Sequence, residues 1–376
     1  AKELAQLLAR AARQIENVIP KVYKDEERRY PSSGGEDGYL HKLLKSFQQE
    51  LLPSLRLASE NEKDYSFSDI YAQTIAYSLF TARVFSYVRD RREGREKEEL
   101  FGRGSAWQQL PETNPFLRRL FQDISERSPE ELGDELIGAI AEIFAILRAA
   151  KMDVILQDFQ QKQNREDIVI RFYEDFLAAY KPEMRERRGV YYTPEPVVSY
   201  MVRSVDVLLK EKFNKPLGLA DPEVMILDPA CGTGTFLLST FQLIYERFQK
   251  SPEMLTKGLA DGCWSTYVKE RLLPRVFGFE LLMAPYSIAH LKLGLFLEET
   301  GYKFDSKRRL EIYLTNALEI SPITENLLGG FIGEEAGKAA QLKQDSPIMV
   351  VIGNPPYSVT SENSGDWIGN LLKDYK

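Results

Sequence analysis

A run of apolar residues late in the chain leads directly into a short motif that could carry out chemistry. Residues 348–352 read Ile-Met-Val-Val-Ile, and residues 353–357 read Gly-Asn-Pro-Pro-Tyr. The apolar run predicts a buried parallel strand, which the two prolines end abruptly. Open α/β sheets bind ligands at the carboxyl ends of their strands. An amide, two rigid carbonyl groups and an aromatic ring at this place suit the binding of an exocyclic amino group and stacking on its ring.

A second segment has the pattern of a strand, a glycine-rich turn and a helix. Residues 224–227 read Val-Met-Ile-Leu, residues 228–236 read Asp-Pro-Ala-Cys-Gly-Thr-Gly-Thr-Phe, and a helix is predicted to begin near Thr235. Glycines in such a turn let backbone amides approach a nucleotide-like ligand. The segment lacks the third glycine of a dinucleotide site and the Gly-Lys-Ser/Thr of a phosphate-binding loop, which argues against NAD and ATP. The carboxylate of Asp228 favours a cationic or zwitterionic ligand.

Three motifs together resemble one enzyme family. Residues 228–234 resemble the S-adenosylmethionine-binding motif of N6-adenine DNA methyltransferases, and residues 354–357 resemble their catalytic motif. Residues 188–198 read Arg-Gly-Val-Tyr-Tyr-Thr-Pro-Glu-Pro-Val-Val and resemble the upstream motif of the γ-type arrangement. All three occur in the γ order. Residues 172–198 are especially similar to the modification parts of type IIG and type ISP single-chain restriction-modification enzymes.

The resemblance implies particular site residues. Glu280, which closes a predicted strand at residues 276–279, would accept hydrogen bonds from ribose hydroxyls. Asn316, where the family often has Asp, would contact the amino group of the cofactor's adenine through its amide oxygen. The catalytic residues implied are Asn354, Pro355, Pro356 and Tyr357. The cofactor-binding residues implied are Tyr192, Thr193, Asp228, Ala230, Cys231, Gly232, Gly234, Phe236, Glu280, Leu281, Asn316 and Ala317.

These groups predict how an adenine amine would be methylated by S-adenosylmethionine. The side-chain oxygen of Asn354 and the carbonyl of Pro355 would each accept a hydrogen bond from the N6 amino group. Both bonds favour the positively charged amine that develops as N6 attacks the methyl group. Tyr357 would stack on a base that has left the duplex, contributing on the order of 1–3 kcal/mol. This chemistry requires no metal and no dedicated general base.

Other interpretations of the same residues remain open. The Asn354 motif is also compatible with a proline-terminated turn, and it occurs in methyltransferases that modify protein glutamine at N5. Thr193 is predicted to cap a helix in which Pro194 occupies the first turn, with or without a second role at the cofactor. In a further alternative, the chain is a non-catalytic coupling module for which S-adenosylmethionine is an allosteric ligand.

Composition limits the class of protein. The chain has 376 residues, of which 43% are hydrophobic, enough for two domains with cores. Its two cysteines are too few for a disulfide framework, and its two histidines disfavour a His-built metal site. With no membrane-span pattern and no visible signal peptide, we expect a cytoplasmic, prokaryotic protein without a membrane partner. The net charge of −7 suggests that much of the surface that binds double-stranded DNA lies outside this chain.

The chain is predicted to contain two domains. Residues 1–180 predict an α-helical domain, like the coupler of the resembled enzymes, and Ser128 is predicted to start a helix that continues through Leu147. Residues 181–376 predict an α/β, Rossmann-like, S-adenosylmethionine-dependent methyltransferase domain. Only four of the family's seven strands can be placed before Lys376. We therefore expect a C-terminally incomplete domain, inactive alone, whose partners include a downstream target-recognition domain and, as in the resembled enzymes, nuclease or motor parts.

Overall fold

The chain combines a helical region with a small parallel β-sheet. The computed structural model describes residues 1–30, 38–59, 65–92, 101–110, 114–155, 168–182, 193–302, 308–318, 330–356 and 373. Within these ranges, no helix is both long and apolar enough to cross a membrane. The predicted domain division near residue 180 is adjacent to residues 183–192, which are outside the described ranges, and it stays a prediction.

The described part of residues 1–180 is built from helices. Their bounds are α1 Lys2–Arg29, α2 Tyr39–Glu50, α3 Phe67–Arg92, α4 Ala106–Gln109, α5 Pro115–Glu126, α6 Pro129–Leu132, α7 Asp134–Ala149 and α8 Ile168–Tyr180. Helix α1 packs against α3, α7 and α8. Its buried residues recur at helical spacing, as expected for an amphipathic helix that covers a core.

Helix α3 is buried around its whole circumference. The predicted apolar stripe is confirmed as core, but residues 66–86 are buried without exception. Several polar side chains on α3 bond locally or to neighbouring helices: Gln73 Nε2 donates to Asp69 Oδ1 at 2.7 Å, and Arg83 Nε donates to the Leu147 carbonyl at 3.2 Å. These internal hydrogen bonds offset part of the cost of burying polar groups on α3.

The helix predicted to start at Ser128 is broken in two. The capping box is confirmed, since the Ser128 N–H donates to Glu131 Oε2 at 2.9 Å and the Glu131 N–H donates to Ser128 Oγ at 3.4 Å. However, α6 ends after four residues at Gly133, whose φ of 80° is left-handed, and α7 begins at Asp134. The prediction of one continuous helix was wrong because a left-handed glycine terminates a helix.

The remaining elements alternate between helices and strands. They are α9 Glu195–Lys212, β1 Ile226–Asp228, α10 Thr235–Lys250, α11 Pro252–Thr256, α12 Trp264–Tyr267, β2 Val276–Glu280, α13 Met283–Glu299, β3 Ile312–Leu314, α14 Gly330–Asp345 and β4 Val350–Val351. A π-helical turn at Val268–Leu272 precedes β2, and the chain between α10 and β2 is largely helical. All four predicted strands are present, including one that the apolar run at residues 310–314 predicts, but each is shorter than its apolar run, apart from β2.

The four strands form one parallel sheet in the order β3-β2-β1-β4. Successive side chains of a strand face opposite sides. Accordingly, Phe277 and Phe279 of β2 pack with Ala339 and Leu342 of α14 on one face. On the other face, Val276 belongs to the large core that includes the buried residues of α10 and α13. Helices thus cover both faces of the sheet, as expected for parallel strands.

The helical region reaches the sheet through the packing of α3 on α13. Ser78 Oγ lies 3.4 Å from Ser287 Oγ in this contact. A Cβ added at Gly294 of α13 would lie only 3.0 Å from Cζ of Phe85 of α3. Gly294 therefore allows the two helices to approach closely, and the helix that follows β2 is held directly by the helical region.

We predict that Gly294→Leu destabilises the protein by about 1–3 kcal/mol, because the added side chain overpacks the contact with Phe85. The matched control is Gly138→Leu, since Gly138 is an exposed helical position with no heavy atom within 4 Å of an added Cβ. The control should be neutral or slightly stabilising because leucine favours helix over glycine. Urea unfolding of the two variants measures the difference, and equal stabilities would contradict the packing argument.

Candidate functional site

Several predicted site residues meet at the carboxyl edge of the sheet. Asp228 ends β1, Glu280 ends β2, Asn316 follows β3 by two residues, and Asn354 follows β4 by three. Because all four strands are parallel, these positions share one edge. The fold therefore brings residues from widely separated motifs together, as the sequence predicts for a ligand-binding edge.

Asp228 is fully buried between β1 and the end of β4. Its Oδ1 accepts a hydrogen bond from the Ala230 N–H at 3.2 Å, whereas its Oδ2 has no hydrogen-bond partner among the described residues. A Cβ added at Gly353 would lie 2.4 Å from Asp228 Oδ1. The absence of a side chain at Gly353 thus lets the backbone just before Asn354 approach the Asp228 carboxylate.

The glycine-rich turn after Asp228 is bonded to the neighbouring strand and leads into α10. The Cys231 N–H donates to the Phe279 carbonyl at 2.9 Å, and the Gly234 N–H donates to the Cys231 carbonyl at 2.7 Å. Gly232 and Gly234 have φ angles of 53° and 76°, which favour glycine. Among the described residues, no heavy atom lies within 4 Å of a Cβ built on Gly232, so this side of the turn is open with respect to them. Phe236, in the first turn of α10, is buried in the core.

Glu280 joins the ends of β1 and β2 through three backbone hydrogen bonds. Its Oε2 accepts from the Gly232 N–H at 2.8 Å. Its Oε1 accepts from the Leu281 and Leu282 N–H groups at 2.9 and 2.8 Å. A carboxylate has about four acceptor positions, so Glu280 can accept one more hydrogen bond from a hydroxyl while it holds the turn.

The two acidic groups share a poorly solvated environment. The pKa of Asp228 is raised to about 8, chiefly by burial and to a smaller extent by the Glu280 carboxylate, while the Ala230 N–H bond lowers it. Burial likewise raises the pKa of Glu280 to about 7, against the lowering effect of its three backbone donors. A cation at this edge would stabilise both charged carboxylates.

Asn316 and Ala317 lie in a turn beside Glu280. The Thr315 N–H donates to the Glu280 carbonyl at 2.8 Å, which fixes the start of this turn against β2. Asn316 Oδ1 accepts from the Leu318 N–H at 3.1 Å. One acceptor position of the amide oxygen is thus used within the turn, and the oxygen retains a second.

The remaining predicted site residues belong to the motifs at residues 188–198 and 354–357. Asn354 is half-buried and Pro355 and Pro356 are exposed, whereas Tyr192 and Tyr357 are outside the described residues. The prediction that Thr193 caps α9 was wrong. Pro194 occupies the N-cap with φ −53° and ψ 137°, and the helix starts at Glu195 without a side-chain cap hydrogen bond. Proline's restricted φ suits this extended junction, so Thr193 is displaced by one position.

The motifs and their common edge agree with a comparison to known families. The family model described as N-6 DNA Methylase matches residues 164–367, more than half of the chain. The chain belongs to the N-6 DNA methylase family. This membership confirms the resemblance to N6-adenine methyltransferases that the three motifs suggest. No curated protein sequence matches the chain significantly.

Two solved structures of restriction-modification enzymes are similar to this chain in fold. The DNA-bound, ATP-dependent Type ISP restriction-modification enzyme LlaBIII matches with a TM-score of 0.60 and 20% identity, over 96% of this chain and 21% of that one. A nuclease-deletion mutant of the Type ISP enzyme LlaGI, in complex with a DNA substrate mimic, matches with a TM-score of 0.57 and 20% identity, over 96% and 25%. The chain thus spans a quarter or less of the length of these enzymes.

Two glycines that shape the site were missed by sequence reasoning. Gly353 contacts Asp228, as described above, and Gly278 lies inside β2, where an added Cβ would be 2.9 Å from Leu237 Cδ1 and 3.2 Å from Cys231 Sγ. A glycine within an apolar strand is a signal of close backbone approach, and it could have identified Gly278. Gly353 has no comparable signal, because its constraint comes from a residue 125 positions earlier in the sequence.

We predict that Gly353→Ala destabilises the protein by about 1–3 kcal/mol, because the new methyl group would overlap the Asp228 carboxylate. Gly333→Ala is the control, since an added Cβ on this α14 glycine meets no heavy atom within 4 Å. Chemical denaturation compares the two variants with the wild type. Wild-type stability of Gly353→Ala would contradict the close approach of β4 to Asp228.

The raised pKa values predict a specific pH dependence of stability. Asp228 and Glu280 have ordinary pKa values of 3.8 and 4.5, so the unfolded chain releases these protons at a lower pH than the folded protein. Their contribution to stability is therefore present at low pH and is lost as pH rises toward 8. From pH 5 to pH 8 the wild type should lose on the order of 3–4 kcal/mol of stability through Asp228, a loss that Asp228→Asn should abolish in urea unfolding. The exposed control Asp153→Asn should retain the wild-type slope, and an identical slope in both variants would contradict the assignment.

Proposed function

We propose that this chain is the cofactor-binding and catalytic part of a site-specific DNA adenine-N6 methyltransferase within a restriction-modification enzyme. One observation carries the proposal: at a single sheet edge, Glu280 bonds Gly232 while Gly353, just before Asn354, adjoins Asp228. The proposed cofactor motif and the proposed catalytic motif are thereby neighbours. The parallel sheet with helices on both faces is consistent with the Rossmann-like fold of S-adenosylmethionine-dependent methyltransferases.

The described residues fit S-adenosylmethionine. Asp228 Oδ2 is a buried oxygen without a partner in the described residues, and one side of the turn at Gly232 is open with respect to them. Both acidic groups have raised pKa values, so a cationic ligand is electrostatically favoured at this edge. We assign the ribose to Glu280 and the adenine to Asn316, with Ala317 and Leu281 beside them. Thr193 and Tyr192 are assigned to the methionine end, together with the turn that contains Ala230, Cys231, Gly232 and Gly234.

The protein's part in the reaction is to position and activate the amine. When bound, S-adenosylmethionine supplies a methyl group that is already activated by its sulfonium charge. The Asn354 side-chain oxygen and the Pro355 carbonyl each accept a hydrogen bond from the N6 amino group of adenine. These bonds stabilise the positive charge that develops on the nitrogen. Pro355 and Pro356 have restricted backbones, which keep the acceptor carbonyl in place. Preorganised acceptors of this kind lower the barrier without reorganisation during the reaction.

The proposed substrate is adenine in double-stranded DNA. Adenine N6 is paired within the duplex, so the base must leave the stack before Asn354 can reach it, and Tyr357 is proposed to stack on the displaced base. Both similar solved structures are described as complexes with DNA or a DNA substrate mimic. With a net charge of −7, the chain is expected to share DNA binding with a target-recognition part of the same polypeptide.

The proposal predicts that Asn354→Ala abolishes methyl transfer but leaves cofactor binding largely intact, because Asn354 is assigned to the base and not to the cofactor. A fall of 100-fold or more in rate is expected, roughly the effect of losing one preorganised oxyanion-hole donor. The assay measures transfer of labelled methyl from S-adenosylmethionine to mixed-sequence duplex DNA. It uses the natural gene product that contains this sequence.

The control is Asn17→Ala, an exposed residue of α1. Label on adenine N6 with the wild type and the control, but not with Asn354→Ala, would support both the substrate and the catalytic role. Methyl transfer that survives in Asn354→Ala would refute the catalytic assignment. A folded, cofactor-binding wild type that methylates no DNA would contradict the DNA-methylation proposal and favour a protein substrate or an allosteric role for the cofactor.

A further inference from the structure

We propose that Lys343 is a positioning residue that orients Asn316 toward the adenine of the cofactor. The inference rests on the proposed function, because Asn316 is assigned to the cofactor only there. Lys343 lies 27 residues after Asn316, in the last turn of α14 and outside every motif of the sequence. Its position relative to Asn316 is therefore a product of the fold.

Lys343 makes two polar contacts with the turn that carries Asn316. Its Nζ donates to Thr315 Oγ1 at 3.0 Å and to the Asn316 carbonyl oxygen at 2.7 Å. The same ammonium lies 5.2 Å from the ring centroid of Phe279 on β2. Lys343 thus spans from the end of β2 to the turn after β3, and it is half-buried there. Hydrogen bonds from a charged donor are stronger than neutral ones, so this contact constrains the turn.

The helix that carries Lys343 is itself anchored to the other end of β3. The guanidinium of Arg309 donates to both carboxylate oxygens of Glu335, at 2.5 and 2.9 Å, in a buried ion pair. Arg309 also donates to the Ile312 carbonyl at 2.7 Å. Glu335 and Lys343 therefore tie α14 to the first and last parts of β3. Because α14 is attached at both places, the position of Lys343 relative to the turn that carries Asn316 is fixed.

The remaining bonds of the turn show why the effect should fall on the adenine half of the ligand. The Thr315 N–H is held by the Glu280 carbonyl, and Asn316 Oδ1 accepts from the Leu318 N–H. The Asn316 carbonyl accepts from Lys343 Nζ at 2.7 Å and also from Thr315 Oγ1 at 3.4 Å, a hydroxyl that itself accepts from Lys343. Without the ammonium, the peptide group after Asn316 loses its charged donor, and the backbone that positions the Asn316 side chain is constrained less. Glu280 keeps its own three donors, so the ribose contact should persist.

The test is Lys343→Met in the natural gene product that contains this sequence, with S-adenosylmethionine binding measured by calorimetry. We expect the Kd to rise about tenfold, the size of losing one charge-assisted hydrogen bond. The KM for S-adenosylmethionine should rise in parallel, while kcat at saturating cofactor changes little. Lys343→Arg keeps a charged donor and should recover most of the affinity. Lys338→Met is the matched control, since Lys338 is exposed on the same helix, and it should bind with the wild-type Kd.

A double-mutant cycle with Asn316→Ala separates positioning from general destabilisation. If Lys343 acts through Asn316, Lys343→Met should weaken binding little further once Asn316 has been removed. Fully additive losses, or a wild-type Kd for Lys343→Met, would overturn the inference. If the methionine variant does not fold, Lys343→Gln serves in the same cycle. A wild-type protein that binds no S-adenosylmethionine would instead refute the proposed function.

Discussion

The carboxylate of Glu280 is the interaction on which the candidate site depends. It accepts backbone hydrogen bonds from the glycine-rich turn after β1 and from the two residues that follow β2. The backbone carbonyl of the same residue accepts from Thr315 after β3. A single residue therefore holds three chain segments at one edge of the sheet. Loss of this carboxylate would leave the N–H groups of Gly232, Leu281 and Leu282 without their acceptor.

Charge at this edge is stabilised incompletely by the protein itself. Burial raises the pKa of both Asp228 and Glu280, and the Glu280 carboxylate also raises the pKa of Asp228. Two carboxylates with raised pKa values are typical of a ligand-binding site, because a bound ligand can supply the partner that the protein itself does not. Helices also support the edge mechanically. Helix α13 follows Glu280 directly and packs on α3 of the helical region, while α14 is tied to both ends of β3.

Much of this organisation could be read from short local patterns. The apolar runs predicted four strands, the Asp228 turn predicted a ligand-binding loop, and the motif order predicted the methylase family that the comparison confirms. These predictions succeed because they depend on neighbouring residues: β-branched runs favour strands, and glycines permit tight turns. Errors arose where a local preference had a competitor. Pro194 displaced Thr193 from the cap, and Gly133 divided a helix whose apolar spacing alone looked continuous.

The sequence by itself therefore determined the family, the order of the strands along the chain and the residues that could do chemistry. Only the tertiary structure decided how those residues meet. The approach of Gly353 to Asp228, the bond from Glu280 to Gly232 and the reach of Lys343 to Asn316 join residues that are distant in sequence. The burial of α3 on every side is likewise a property of its neighbours. Local composition sets the preference of each segment, but distances and pKa values arise only when packed segments exclude water and bring distant groups together.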